Sequence, residues 1–157
     1  CADEMDEFMI KAWNERVSPK DKVYHLGDVA IARKKLDVLY RLNGDKILIR
    51  GNHDIFKLED YTKHFRDIRS YHIMNGMVLS HVPIHPESLE RFGCNIHGHT
   101  HVNKVMKKDF KFVPDPGYMN VCVEHTEYAP ILFEDLCKKI EECGGIVGFK
   151  KKLTKDS

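Results

Sequence analysis

The sequence lacks any run near the roughly 18 consecutive apolar residues that a membrane-spanning helix needs, and its start has no basic-then-apolar secretory pattern. These absences predict a cytoplasmic chain without a membrane partner. An excess of charge is also missing: twenty-five Lys and Arg stand against twenty-four Asp and Glu, for a net +1. Attraction to a phosphate backbone or an anionic surface is therefore not expected, and nucleic acid enters only as a substrate. The one locally basic stretch is Lys150, Lys151, Lys152 and Lys155. Five cysteines, at 1, 94, 122, 137 and 143, are odd in number and form no CxxC pair. That excludes a disulfide framework and a thiolate zinc site, and leaves core thiols in a reducing compartment. No repeat, long linker or second domain is visible, so the 157 residues, 42% of them apolar, read as one domain with residues 146–157 as a frayed tail. An initiating methionine is absent too. Cys1 stands first, which implies that an upstream piece has been removed.

What is present alternates between helical and strand patterns. Met5, Phe8, Met9, Ala12 and Trp13 recur at helical spacing before Ser18-Pro19, predicting an amphipathic helix over 3–17. A strand over 22–26 follows, then a helix marked by Leu36, Leu39 and Tyr40 and closed by Asn43-Gly44, then a buried strand over 46–50. This β-α-β order favours parallel pairing. Further strands are expected at 68–73 and 77–80 around a tight Asn75-Gly76 turn, and at 94–97 and 119–123. A last helix spans 133–143 and ends at Gly144-Gly145.

Metal-capable residues fall where these strands end: Gly27-Asp28 after YHL, Gly51-Asn52-His53-Asp54 after ILIR, His81 after MVLS, and HGHTH (97–101) after CNI. The carboxyl ends of strands in α/β sheets are where loops converge on ligands. Asp, Asn and His offer only oxygen and nitrogen donors, a set suited to manganese, iron, zinc or nickel. His99 and His101, two apart on an extended segment, project to one side. Gly27, Gly51 and Gly98 each precede a candidate ligand, where the missing Cβ permits a sharp turn or close approach. Singly, each element has an ordinary reading: Gly-Asp after a strand is usually a turn, and His81 alone is a strand-end histidine. His25, His64, His72 and His125 are read as core or surface groups. Only the joint occurrence, in this order, points to a metal site.

That order, GD, GNHD, a lone strand-end His and GHTH, resembles the calcineurin-like metallophosphoesterase family, most closely its small single-domain phosphoesterases. The similar stretches are MDEFMIKAWN, YHLGDVA, LNGDKILIRGNHD, MVLSHVPI, NIHGHTH and, less distinctively, NVCVEHTEYAPILFEDL. The resemblance implies an α/β fold, a four-layer αββα sandwich of two mixed sheets flanked by helices. It further implies a dinuclear metal-dependent hydrolase of phosphomonoesters or phosphodiesters, carrying two divalent ions with manganese foremost. Asp28 would bridge the metals; Asn52, His81 and His99 would complete the second metal's shell, and His101 would bind the first. His53 would be the acid beside the scissile bond and Asp54 its orienting group. Two such metals share one hydroxide, its pKa lowered toward ~7, and align the phosphoryl group for in-line attack. His97 matches no family ligand.

The sequence departs from the family at its start. Members begin with a strand ending in Asp-x-His, which supplies most of the first metal's protein ligands. This sequence opens inside what resembles the following helix, so the first strand, normally central in its sheet, is expected to be missing. The first metal would keep only Asp28 and His101, and a completing segment or partner chain is expected on the N-terminal side. Two readings follow. One is a hydrolase with an open site for a small phosphoester such as an aryl phosphodiester, since no cap insertion separates the motifs. The other is a non-catalytic metal-binding scaffold that retains the fold. His53 within GNHD favours the first, and the absent Asp-x-His favours the second.

Overall fold

A computed structural model of the chain describes residues 2–30, 32–122, 125–126 and 129–151. Helix α1 (Ala2–Arg16) leads into strand β1 (Lys22–His25), a 3-10 helix (Arg33–Arg41) and β2 (Asp45–Ile49). A short α2 (Leu58–Thr62) precedes β3 (Asp67–Arg69), β4 (Tyr71–Met74) and β5 (Met77–Ser80). After a 3-10 turn (Pro86–Leu89) come β6 (Asn95–His97), β7 (Met106–Lys107), β8 (Phe110–Pro114), β9 (Tyr118–Asn120) and α3 (Phe133–Glu142). The result is a mixed α/β fold whose described residues form a three-stranded sheet β1-β2-β3, a four-stranded sheet β4-β5-β6-β9 and a small β7-β8 ribbon. No helix among the described residues is long and apolar enough to cross a membrane.

The β-α-β order gives parallel pairing as expected, with Tyr24 opposite Ile47 and Leu48 opposite Ile68. Asn75 and Gly76 have φ of 49° and 74°, the left-handed pair that a two-residue hairpin turn requires between β4 and β5. Gly144, at φ 86°, closes α3: its N–H donates to the Glu141 carbonyl, and that of Gly145 to Ile140.

Four elements differ from the sequence reading. The single strand expected over 68–73 breaks at Ser70, and its halves join different sheets. One apolar run carries no mark of which partner each half will find. The expected second helix is 3-10, burying Leu36 and Leu39 three residues apart while Tyr40 is 66% exposed, as a three-residue turn dictates. Helix α1 is held by the later part of its expected face, Met9, Ala12 and Trp13, and by residues beside it. Trp13 Nε1 donates to the Asn43 carbonyl, Asn14 pairs with Arg41 and Asn43, Glu7 meets Arg41, and Ile10 and Val17 are buried, whereas Met5 and Phe8 stay exposed. The β7-β8 ribbon was not anticipated, because both its faces are exposed and leave no period-two signal. The tail from 152, Cys1, and the end of the strand expected over 119–123 lie outside the described residues.

Three apolar clusters surround the sheets. Leu36, Leu39, Leu48, Tyr61 and Phe65 pack the 3-10 helix and α2 onto the three-stranded sheet. Met77, Leu79, Cys94, Ile96, Leu136 and Ile140 join the four-stranded sheet to α3, with Tyr24 and Leu26 against them. Burial pushes the Cys94 thiol up to about 12, which suits the core role expected for it. Val78, Leu89 and Phe92 form the third cluster. Tyr24 of β1 stacks on His72 of β4 at 4.9 Å, so the two large sheets meet directly.

Candidate metal centre

Four strands deliver the polar loops. β1 and β2 run parallel, as do β5 and β6, so within each sheet both carboxyl ends point the same way. The loops after β1 and β2 carry Asp28 and Asn52; those after β5 and β6 carry His81 and His99.

His81, 5% exposed, lies at the middle of the cluster. Its Nδ1 is 2.6 Å from the Leu26 carbonyl. A carbonyl only accepts, so Nδ1 carries a proton, and in the neutral imidazole Nε2 then presents its lone pair. That Nε2 faces Asn52 Oδ1 at 2.9 Å, His99 Nδ1 at 3.2 Å and Asp28 Oδ2 at 3.2 Å. Asn52 Oδ1 also lies 3.1 Å from His99 Nδ1. Oxygen and nitrogen ligand atoms thus converge from four loops. One ligand atom each from Asp28, His81 and His99 lies within 4.8 Å of the others, a spacing that can hold a metal ion. The donor set fits a borderline divalent cation, and the carbonyl behind His81 is the kind of outer partner that orients a metal-binding imidazole.

Backbone strain marks the same residues. Among the described residues, four that are not glycine have φ in the left-handed region: Asp28 (54°), His99 (67°), His101 (51°) and the hairpin residue Asn75. Such geometry costs roughly 1 kcal/mol or more per residue, and it concentrates where side chains are aimed for function.

The loops after β1 and β2 are locked together. Asp54, 1% exposed, accepts hydrogen bonds from the backbone N–H of Asp28 (2.8 Å), Val29 (2.8 Å) and Gly51 (2.7 Å). The sequence reading had Asp54 orient the His53 imidazole; its described partners are instead these three amides. Gly27 and Gly51 make the close approach possible, since a Cβ on Gly27 would sit 2.6 Å from the Gly51 nitrogen and one on Gly51 2.3 Å from Asp28 Oδ1. Gly98 differs, with nothing closer than 3.4 Å to an added Cβ. His53 is exposed, and its N–H donates to Asp28 Oδ1 at 2.9 Å.

The three histidines of HGHTH do different things. His97 is fully buried; its Nδ1 pairs with the Gly98 carbonyl at 2.8 Å, its ring meets Tyr118 edge-on, and burial lowers its pKa. His99 joins the cluster. His101, expected beside Asp28 on a metal, is outside that triad. The positive φ at His99 ends the extended geometry on which the expected side-by-side projection depended.

Supporting residues escaped the sequence reading. Asn120 Nδ2 donates to Thr100 Oγ1, the His101 carbonyl and the Asn103 carbonyl, at 2.7 to 2.8 Å. Asn95 accepts from the Ile84 N–H and donates to the Val78 carbonyl and Ser80 Oγ, fixing the loop after His81. His125, read as a core or surface group, meets the His101 carbonyl through Nε2 at 2.8 Å. The Leu26 carbonyl that sets the His81 tautomer has no side-chain signature at all. His25 and His72 fit the ordinary reading, packed edge-on to Phe65 and stacked on Tyr24 respectively.

No protein-family model matches the chain. It is similar in fold to a protein of unknown function from Aquifex aeolicus, AQ665, whose crystal structure superposes with a TM-score of 0.66 at 27% identity, covering 85% of this chain and 84% of that one. It is also 37% identical over 147 residues to the uncharacterized protein MJ1445 of Methanocaldococcus jannaschii, covering 89% of this chain and 77% of that protein. Identity at that level over most of both chains shows common descent, and the chain belongs to the family of MJ1445.

Proposed function

We propose that the protein is a metal-dependent phosphoric ester hydrolase of the calcineurin-like metallophosphoesterase type. The observation that carries this reading is the convergence of Asp28 Oδ2, Asn52 Oδ1, His99 Nδ1 and His81 Nε2, a set of oxygen and nitrogen ligand atoms spaced so that it can hold a cation. Asp28, Asn52, His81 and His99 would hold a divalent ion, manganese foremost, with Asp28 and His101 turned toward a second. Such ions polarise the phosphoryl group and acidify water. Asp28 contributes the negative charge the cations need, while neutral Asn52 donates oxygen without repelling an anionic ester. His53, exposed beside Asp28, gives its proton to the departing oxygen. The substrate is a small phosphomonoester or phosphodiester met in the cytoplasm. In this reading the two large sheets and their helices form the four-layer sandwich, supported by the Tyr24–His72 stack between sheets and by the 3-10 helix and α2 on the outer face. A cation-binding scaffold without turnover is the second reading, favoured by the position of His101 outside the triad.

Elemental analysis after manganese loading and desalting, paired with hydrolysis of bis(4-nitrophenyl) phosphate, separates the two. The parent is expected to retain at least about one manganese and to turn over the ester. Asp28→Ala should lose both, and His53→Ala should keep its metal while turnover falls about 100-fold. Metal without turnover leaves the scaffold; a chain that holds no metal sinks both readings.

A further inference from the structure

An open groove of about 800 Å³ begins at His81 and Asn52 and runs away from the cluster. Its floor is one face of the β4-β5 ladder. Tyr71 lies directly opposite Ser80, and Ile73 opposite Val78, so alternation turns these four side chains to one side. Ser80 and Val78 are buried at 4% exposure, whereas Tyr71 and Ile73 remain 57% and 40% exposed, as if awaiting a partner. The far wall is Phe92, packed on Val78, with the Arg91 guanidinium over its ring at 4.9 Å. Val78 of β5 is three residues before His81, so Phe92 and Arg91 line the groove away from the cluster.

Charge narrows the occupant further. Arg50 lines the groove at the cluster end, its guanidinium donating to the Asp54 and Phe56 carbonyls. Arg91 lines the other end, and no Asp or Glu is among the described lining residues. An apolar floor between two cations suits a small molecule with a flat ring in the middle and an anion at each end. Two cations among the described lining residues do not make the long basic track that a polymer backbone needs.

We infer that this groove is a specificity subsite for a phosphoester whose leaving group is an aromatic ring bearing a second anionic group, with the ring on Tyr71 and the second anion on Arg91. The inference rests on the hydrolase reading for its chemistry but not for its binding. The reaction is simple hydrolysis: water adds to phosphorus, the phosphorus–oxygen bond to the ring breaks, and the phenolic oxygen takes up a proton.

The test compares 4-carboxyphenyl phosphate with its neutral counterpart 4-carbamoylphenyl phosphate on the manganese-loaded protein. The parent should prefer the carboxylate by about fivefold in kcat/KM, the worth of one partly exposed ion pair. Arg91→Gln should bring the ratio to about one, Arg91→Lys should keep part of it, and Tyr71→Ala should lower kcat/KM for both esters alike. The corresponding phosphonates, which cannot be hydrolysed, give the same ratio by calorimetry as a binding constant. A fivefold binding preference abolished by Arg91→Gln, with neither ester turned over, upholds the groove and sinks the hydrolase. Turnover with no preference, or a preference that survives Arg91→Gln, overturns the groove and leaves the hydrolase standing.

Discussion

The Gly51–Asp54 loop and the His97–His101 loop each deliver one side chain to the cluster, Asn52 and His99, yet groups of opposite polarity hold them. In the first, the buried Asp54 carboxylate gathers two backbone N–H groups from the loop after β1 and one from its own loop. In the second, one Asn120 amide nitrogen gathers oxygens. Loops at strand ends leave backbone donors or acceptors without ladder partners, and each set needs a buried side chain of the opposite kind. A charged hub makes stronger hydrogen bonds than a neutral one whose two hydrogens are shared among three acceptors, so the first loop should be the stiffer.

Removing the hubs gives the largest effect. Asp54→Ala strands three amides and should cost about 4 kcal/mol in urea denaturation, whereas Asn120→Ala should cost about 2 kcal/mol. Equal costs would undo the contrast. The glycines give a smaller one. In Gly51→Ala the new Cβ collides with the Asp28 carboxylate and should cost about 3 kcal/mol along with metal retention, while Gly98→Ala should stay below about 1 kcal/mol. If Gly98→Ala proved the worse, the close packing of the first pair of loops would not be what fixes the site.

The smallest effect comes from the histidines whose pKa burial lowers, His97 of the HGHTH loop among them. Burial lowers the pKa of His25, His64 and His72 below the ordinary value of about 6.5. Between that value and the lower folded one, the unfolded chain binds more protons, so stability is full above about pH 6.5 and declines as pH falls through it. The urea midpoint should therefore drop between about pH 7.5 and about pH 5.5, and His72→Gln should flatten the slope. An unchanged slope would show that His72 is not among the groups responsible.

Much of this was legible in the residues. Period and turn chemistry located β1, β2, β5 and α3 nearly to their ends, and Asn75-Gly76 specified its hairpin by conformation alone. The order of polar residues after strands named Asp28, His81 and His99 before any geometry existed. Legibility failed where the deciding contact was distant. Nothing in the run from Ile68 to Ile73 announces two sheets, because β3 pairs with β2 while β4 pairs with β5. Nor does GNHD reveal that Asp54 faces inward to the Asp28 and Val29 amides, some 25 residues earlier in the chain.

Local sequence thus determined which residue types stand at which strand ends, since hydrophobic period and turn preference act over a few neighbours. Only the tertiary structure decided which of them meet. The Leu26 carbonyl orients the His81 ring across 55 residues, and with left-handed backbone at Asp28 and His99 both side chains reach His81. Such strain persists only when packing from elsewhere over-determines it, and no short stretch of sequence contains that packing.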